Sequence, residues 1–230
     1  MSIEYFDKIF TAITDHEQGA YCTVFRLHLD PCWTNDPNKP LIGEGGENNI
    51  SQFSASRLTT YWLNLYSKIM ESALAHGLYV ILRPPGVCPH DIKVGDEYQL
   101  YLQNVWGTLT QAKLLKKYAG QVSLELANEP VNIKDANGKD SQTAMRDFFQ
   151  PVVDVIRKSG FAGILWIPGT GWQSQYAPYA KYPITDPLDN YGDALHVFPV
   201  WYGASDKSYN HQAFIDQFHA HVPVVDTKPI

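Results

Sequence analysis

The sequence has 230 residues and a mass of 26.0 kDa, 44% of it apolar and only 18% charged, which excludes a disordered chain and suits one domain with a sizeable core. Its net charge of −6 leaves no basic field to hold nucleic acid, and no apolar run approaches the ~18 residues of a membrane span. Three cysteines (Cys22, Cys32, Cys88) exclude a disulfide scaffold, and residues 1–8 carry no apolar stretch of the kind a signal peptide needs. What remains is a globular, acidic domain with many aromatics: 6 Trp, 14 Tyr and 10 Phe.

In chain order, Ile3, Phe6, Phe10 and Ile13 recur at helical steps, and residues 21–29 follow as an aromatic and β-branched strand. A loop rich in Asn, Gly and Pro covers 34–52. Leu58, Trp62, Leu65, Ile69 and Ala73 predict a second helix that Gly77 stops. Residues 78–83 form a nearly continuous apolar strand closed by Pro84 and Pro85. Tyr98, Leu102, Val105, Leu109 and Ala112 predict a third helix ending by Gly120. Strand 122–127, helix 143–159, strand 163–167, strand 194–198 and helix 211–220 come next, and residues 223–230 begin a further strand. Strands apolar on both faces and separated by amphipathic helices predict parallel β/α units. No Gly-rich dinucleotide loop follows any strand, whereas Arg26, Asn128, Glu129 and His196 all fall at C-terminal strand ends, where (β/α)₈ barrels keep their chemistry. Six strands against the eight of a whole barrel give an α/β fold read as an incomplete (β/α)₈ TIM barrel, with residues 1–230 as one partial catalytic domain.

The sharpest chemical signal is Leu-Ala-Asn-Glu-Pro at 126–130, a strand that delivers an amide and a carboxyl group side by side to its lip. A carboxyl there suits protonation of a glycosidic oxygen. Taken alone, the motif fits a helix-capping or surface glutamate as well. Trp62 and Trp106 lie in helical stripes and are read as core, whereas Trp33, Trp172 and Trp201 fall in loops beyond strand ends, where an indole can stack on a sugar ring or anchor the rim. Asp135-Ala-Asn-Gly-Lys-Asp140 has the wrong glycine position for a calcium loop and is read as a turn, and no zinc-ligand spacing occurs among the eight histidines.

Taken in order, the motifs resemble the glycoside hydrolase family 5 cellulases, retaining glycosidases with a (β/α)₈ fold. Val-Phe-Arg-Leu-His-Leu resembles the family's second strand, with its arginine on Arg26. Leu-Ala-Asn-Glu-Pro resembles the fourth, with Asn128 and the acid/base on Glu129. Residues 166–174 resemble the segment leaving strand five, and residues 195–203 resemble strand six, with the family histidine on His196. The resemblance implies a retaining endo-β-1,4-glucanase in which Glu129 is the acid/base and Arg26, Asn128, His196, Trp172, Trp201 and Trp33 bind substrate. Mannanase, xylanase and xyloglucanase specificities of the same family, and a non-catalytic carbohydrate-binding barrel, are the alternatives. It calls for no cofactor and no metal, a β-linked polysaccharide as partner, no nucleic acid or membrane, and a secreted or periplasmic location.

The departures are specific. Phe198 stands where the family has a tyrosine that bonds the nucleophile, and the third strand ends in Arg83-Pro84-Pro85 rather than a histidine; His90 nearby is read as an exposed loop residue. The nucleophile glutamate is expected just after Ile230. Asp226 is read as a turn residue, Glu44 and Glu47 as solvated loop charge, and Glu125 as lying ~13 Å below Glu129 along the strand, too far for the ~5–5.5 Å of a retaining pair. On this reading residues 1–230 alone are silent and short of a closed barrel, and self-association is one way to cover the open edges. Cys32 and Cys88 follow neighbouring strands and are either a disulfide or two free thiols.

Overall fold

A computed structural model describes residues 3–17, 21–42, 50–202 and 210–230, without the side chains of Pro199 and Trp201. Seven strands occur among them: β1 (Val24–His28), β2 (Tyr79–Arg83), β3 (Asp91–Lys93), β4 (Val122–Glu125), β5 (Asn132–Lys134), β6 (Leu165–Pro168) and β7 (Tyr191–Ala194). Five of them form one parallel sheet in the order β1-β2-β4-β6-β7, and β3 pairs with β5 in a small parallel ribbon built from the segments that follow β2 and β4. The parallel β/α reading is borne out.

Side-chain parity divides the sheet into two faces. Leu27, Val80, Leu82, Val122, Leu124, Leu165 and Ile167 are at most 6% exposed and pack into the hydrophobic core shared with the helices. The alternate residues Arg26, Ile81, Ser123, Glu125, Trp166 and Gly192 share the other, concave face. The register sets Arg26 beside Ile81 and Ile81 beside Ser123, and one step higher sets Glu125 beside Trp166 and Trp166 beside Gly192. Trp166 Nε1 donates to Ser123 Oγ at 2.9 Å across this face. Position 192 tolerates only glycine, because a Cβ there would lie 2.6 Å from the Trp166 ring and 2.7 Å from the Pro229 carbonyl.

The helices supply the outer layer. Trp62 and Trp106 are 3% and 0% exposed, as their stripes predict. The second helix divides into Ala55–Tyr61 and Ser67–Ala75 around a π-helical turn, Trp62–Tyr66. Helix Ala144–Lys158 carries Pro151 in its interior, which leaves the Asp147 carbonyl without its helical donor. The buried Gln99 amide supplies the replacement, donating to the Asp147 and Phe148 carbonyls at 3.1 and 2.5 Å. At the other end of that helix Arg157 bonds both Asp186 oxygens at 2.8 and 2.7 Å and the carbonyls of Phe161, Gly163 and Asn190. Burial raises the Asp186 carboxyl, but Arg157 and the Asn190 and Leu188 amides outweigh it and hold the group below its usual range.

Several boundaries differ from the sequence expectation. The strand expected at 194–198 lies at Tyr191–Ala194, because the ladder to β6 pairs Tyr191 with Leu165 and ends at Ala194 beside Pro168. A glycine and an acid in that strand hid it. Residues 223–227 form turns rather than a strand, and the ladder contact there is one hydrogen bond, Asp193 N–H to the Pro229 carbonyl at 2.8 Å. β3 and β5 were not anticipated at all; three-residue strands give no periodicity to read. Cys22 and Cys32 are exposed and Cys88 is buried, and Cys32 and Cys88 form no disulfide. No helix among the described residues is long and apolar enough to cross a membrane.

Asp193 is fully buried, and neither of its carboxyl oxygens has a hydrogen-bond partner among the described residues. Burial pushes the Asp193 carboxyl up to about 7, offset in part by the charge of Lys228. The folded chain therefore keeps this proton between about pH 4 and about pH 7, where the unfolded chain has released it, and stability falls as pH rises through that window. Asp193→Asn removes the titration. Its melting temperature should exceed that of the wild type by several degrees at pH 8, and the gap should shrink towards pH 4.5, as thermal melts at the two pH values would show.

Candidate active site

The C-terminal ends of β1, β4 and β7 carry the candidate site. Arg26 sits mid-way along β1 and reaches across β2 to Glu125, the last residue of β4. Its Nε and Nη2 donate to the two Glu125 oxygens at 2.5 and 2.7 Å, and Nη2 also donates to Asn128 Oδ1 at 2.8 Å. Glu125 is 3% exposed, so this is a bidentate, charge-assisted pair with the carboxylate side fully covered. Arg26 is thus already paired with a carboxylate of the chain through Nε and Nη2. Nη1 is its remaining nitrogen, without a bond to any described residue. Because Asn128 Oδ1 accepts from Arg26, the amide orientation is fixed and Nδ2 points elsewhere.

Past Glu125 the chain leaves the ladder earlier than expected, and Glu129 takes a left-handed backbone conformation, φ 55°. The segment is held in place by Trp106 Nε1 donating to the Leu126 carbonyl and by the Cys88 amide donating to the Asn128 carbonyl. Glu129 is about one-third exposed, and its Oε1 lies 2.9 Å from His196 Nδ1. His196 Nε2 stands 3.9 Å from Glu125 Oε1, so one imidazole spans both carboxylates. The two carboxyl groups therefore converge although their residues are ~13 Å apart along an ideal strand. Glu125 is nonetheless committed to Arg26 and Gln173, while Glu129 Oε2 has no partner among the described residues.

His196 lies beyond β7, and its position comes from the segment after β6. Its amide donates to the Gln173 carbonyl at 3.0 Å. Gly171, Trp172 and Gln173 are all left-handed, with φ of 57°, 56° and 62°, and this turn is pinned by the Gly171 and Trp172 amides donating to the Val131 and Pro130 carbonyls at 3.0 and 2.9 Å. Trp172 ends up 48% exposed, its ring 6.3 Å from His90. Below it the buried Tyr176 hydroxyl accepts from the Gly169 amide at 2.7 Å and donates to the Ala194 carbonyl, tying β6 to β7. Burial drives that phenol well above its normal range.

Trp33 is 41% exposed and packs against Tyr61, with ring centroids 5.0 Å apart, so it is held upright at the rim after β1. Trp201 falls outside the described side chains, and Glu44 and Glu47 fall outside the described residues. Phe198 is exposed. His90 is exposed and paired with Asp91 at 3.0 Å, in agreement with the loop reading. Asp226 is exposed, in a turn, 3.6 Å from His219. Asp135 Oδ1 accepts from the Asn137 and Lys139 amides at 2.9 Å, the geometry of a surface turn.

Two residues escaped the sequence reading. Gln173 bonds to both glutamates' segments, but a glutamine inside a loop gives no local signal. His28, two residues past Arg26 on the same face of β1, accepts from the Gly86 amide at 3.1 Å. Burial first, then Arg83, pull its pKa down to about 4, leaving a neutral acceptor at the lip between β1 and β2. The alternation Arg26-x-His28 carries that information in the sequence.

The sequence profile of the family Cellulase (glycosyl hydrolase family 5) matches residues 12–225. Among solved structures, a β-glucanase from Saccharophagus degradans, SdGluc5_26A, superposes with a TM-score of 0.59 at 18% identity, covering 97% of this chain and 60% of its own. A xyloglucan-specific endo-β-1,4-glucanase from a metagenomic library, solved with cellotriose, gives a TM-score of 0.57 at 15% identity, covering 100% and 66%. A hyperthermophilic endo-β-1,4-glucanase solved with substrate gives 0.54 at 19%, covering 90% and 56%. The chain thus spans little more than half the length of this last structure. No curated protein matches.

The pairing at the floor makes a direct prediction. Arg26→Met strips the buried Glu125 of both its guanidinium bonds and should lower unfolding free energy by about 3 kcal/mol in urea titration. Replacing Glu125 by Met in the same chain should recover most of that loss, since no unpaired charge then remains.

Proposed function

The chain belongs to the cellulase family, glycosyl hydrolase family 5, and from that premise we propose that it supplies the acid/base half of a retaining endo-β-1,4-glucanase site. The observation that carries the reading is the contrast between two glutamates four residues apart. Glu125 is covered and taken by donors, while Glu129 stands at the lip with one oxygen on His196 and the other open.

Glu129 protonates the glycosidic oxygen as the bond to the sugar breaks, and then removes a proton from the water that hydrolyses the glycosyl–enzyme intermediate. His196 fixes the orientation of its carboxyl group through Nδ1. Asn128 Nδ2, turned away from Arg26, donates to the sugar 2-hydroxyl, a bond that strengthens in the transition state. The nucleophile of this reading is a glutamate following Ile230, with Arg26 Nη1 as its electrostatic partner, and residues 1–230 assayed alone are expected to turn over no polysaccharide. Trp172 and Trp33 offer exposed rings for pyranose faces, and Trp201 is proposed for the same role from its sequence position alone. A β-1,4-linked glucan is favoured as substrate because two of the similar structures are endo-β-1,4-glucanases, solved with substrate and with cellotriose. Polymers of that size do not cross membranes, so the reaction belongs outside the cell or in the periplasm.

The test is hydrolysis of β-1,4-glucan, xyloglucan, mannan and xylan by the whole polypeptide that carries this sequence. Turnover of glucan with net retention of anomeric configuration is the expected result; sugar binding without turnover would make it a binding protein instead. In the same polypeptide Glu129→Gln should cut turnover of unactivated polysaccharide by ~10²–10⁴-fold while sparing the glycosylation step on aryl glycosides with good leaving groups, whose departure needs little protonation. Equal loss on both substrates would remove Glu129 from the acid role.

A further inference from the structure

Gln173 is fully buried, at the end of the left-handed turn 171–173, with a carboxamide that makes three bonds. Oε1 accepts from the Glu129 amide at 2.6 Å, and Nε2 donates to Glu125 Oε1 and to the Ala194 carbonyl, both at 3.1 Å. Its own carbonyl accepts from the His196 amide at 3.0 Å. One residue therefore joins the segment after β4, which carries Glu129, to the end of β7, which carries His196. The orientation of the amide is not arbitrary. Flipping it would set NH₂ against the Glu129 N–H and an oxygen against two acceptors, losing all three bonds.

The backbone of Glu129 needs this support. A non-glycine residue at φ 55° is a sparsely populated conformation that surrounding contacts must hold, and the Gln173 oxygen is the acceptor for the Glu129 N–H. Without it that amide loses its partner and the segment is free to relax to an ordinary conformation, which would carry the carboxyl group away from the imidazole. We propose that Gln173 is a positioning residue: its buried carboxamide sets the Glu129 carboxyl against the His196 ring, although it touches no substrate itself. The proposal rests on the reading of Glu129 as the acid/base, and it explains how a loop after β6 controls a group delivered by β4.

The two can fail separately, because the following readouts need no turnover. In the isotope-labelled whole polypeptide that carries this sequence, NMR follows the Glu129 amide proton and the His196 ring. Gln173→Met keeps length and volume but no hydrogen-bonding atoms. It should move the Glu129 amide proton upfield, speed its exchange with solvent at least about tenfold, and shift the His196 ring signals towards those of Glu129→Gln. Gln173→Glu keeps the acceptor for Glu129 and, while its carboxyl is protonated, a donor for Glu125. Wild-type signals should therefore persist at acid pH and be lost reversibly as pH rises and two carboxylates face each other. Unchanged Glu129 and His196 signals in Gln173→Met overturn the proposal, as does a Gln173→Glu spectrum that does not respond to pH. Should Gln173→Met fail to fold, the pH response of Gln173→Glu decides the matter alone. A Glu129→Gln enzyme with undiminished turnover would remove the acid/base reading and leave these signals as evidence on the positioning.

Discussion

The bidentate pair between Arg26 and Glu125 is the constraint around which the site is assembled. It lies on the concave face of the sheet and links β1 to β4 over the intervening β2, so it closes the floor in a way that backbone ladders between neighbours cannot. A covered carboxylate tolerates this place only because donors surround it: two guanidinium nitrogens and the Gln173 amide. Those same donors reach outward, Arg26 to Asn128 and Gln173 to the Glu129 amide. Satisfying one buried charge thereby orients the two residues at the lip above it.

Local strain is concentrated where the chemistry is expected. Glu129, Trp172 and Gln173 are three of the five non-glycine residues with positive φ among the described residues, and all three belong to one hydrogen-bonded unit. Each left-handed residue costs of order 1 kcal/mol, and the compensation is visible: the Pro130 and Val131 carbonyls hold the Trp172 turn, and the Gln173 amide holds Glu129. The arrangement aims an indole and a carboxyl group out of the same lip. An unstrained strand end would leave both following the pleat of the sheet.

Much of this was legible in the sequence because burial imposes periodicity. β2 and β4 are apolar on alternate positions that meet the helices, and their boundaries were nearly right; Asn128, Glu129 and His196 lie beyond the ends of β4 and β7, whereas Arg26, expected at a strand end, sits mid-way along β1 and reaches Asn128 with its side chain. β7 was misplaced because Gly192 and Asp193 interrupt its apolar run, one residue required by the Trp166 ring and the other a buried acid whose carboxyl has no hydrogen-bond partner among the described residues. Glu125 was weighed only as a nucleophile, at backbone spacing, which conceals how far an arginine and a glutamate side chain reach towards each other. Gln173 and His28 act through long-range bonds to Glu129 and Gly86, and no local pattern encodes a partner 44 or 58 residues away.

Glu125 at the end of β4 and Glu129 just beyond it show how environment, not residue type, assigns a role. Both carry the same carboxyl group, and both lie within reach of one imidazole. Glu125 sits where the sheet still pairs, shielded on every side, and its oxygens are consumed by donors that belong to the scaffold. Four residues later the ladder has ended, Pro130 blocks its continuation, and the chain turns left-handed, so Glu129 leaves the interior and keeps an oxygen for a ligand. The break in the strand is what makes this work: side-chain alternation stops after Glu125, so Asn128, three residues on, meets the same Arg26, and the left-handed turn at Glu129 sets its carboxyl at the solvent boundary. The Leu126 amide still donates to the Trp166 carbonyl of β6 at 3.1 Å, and the chain leaves β6 only beyond it, which frees the segment that carries the acid.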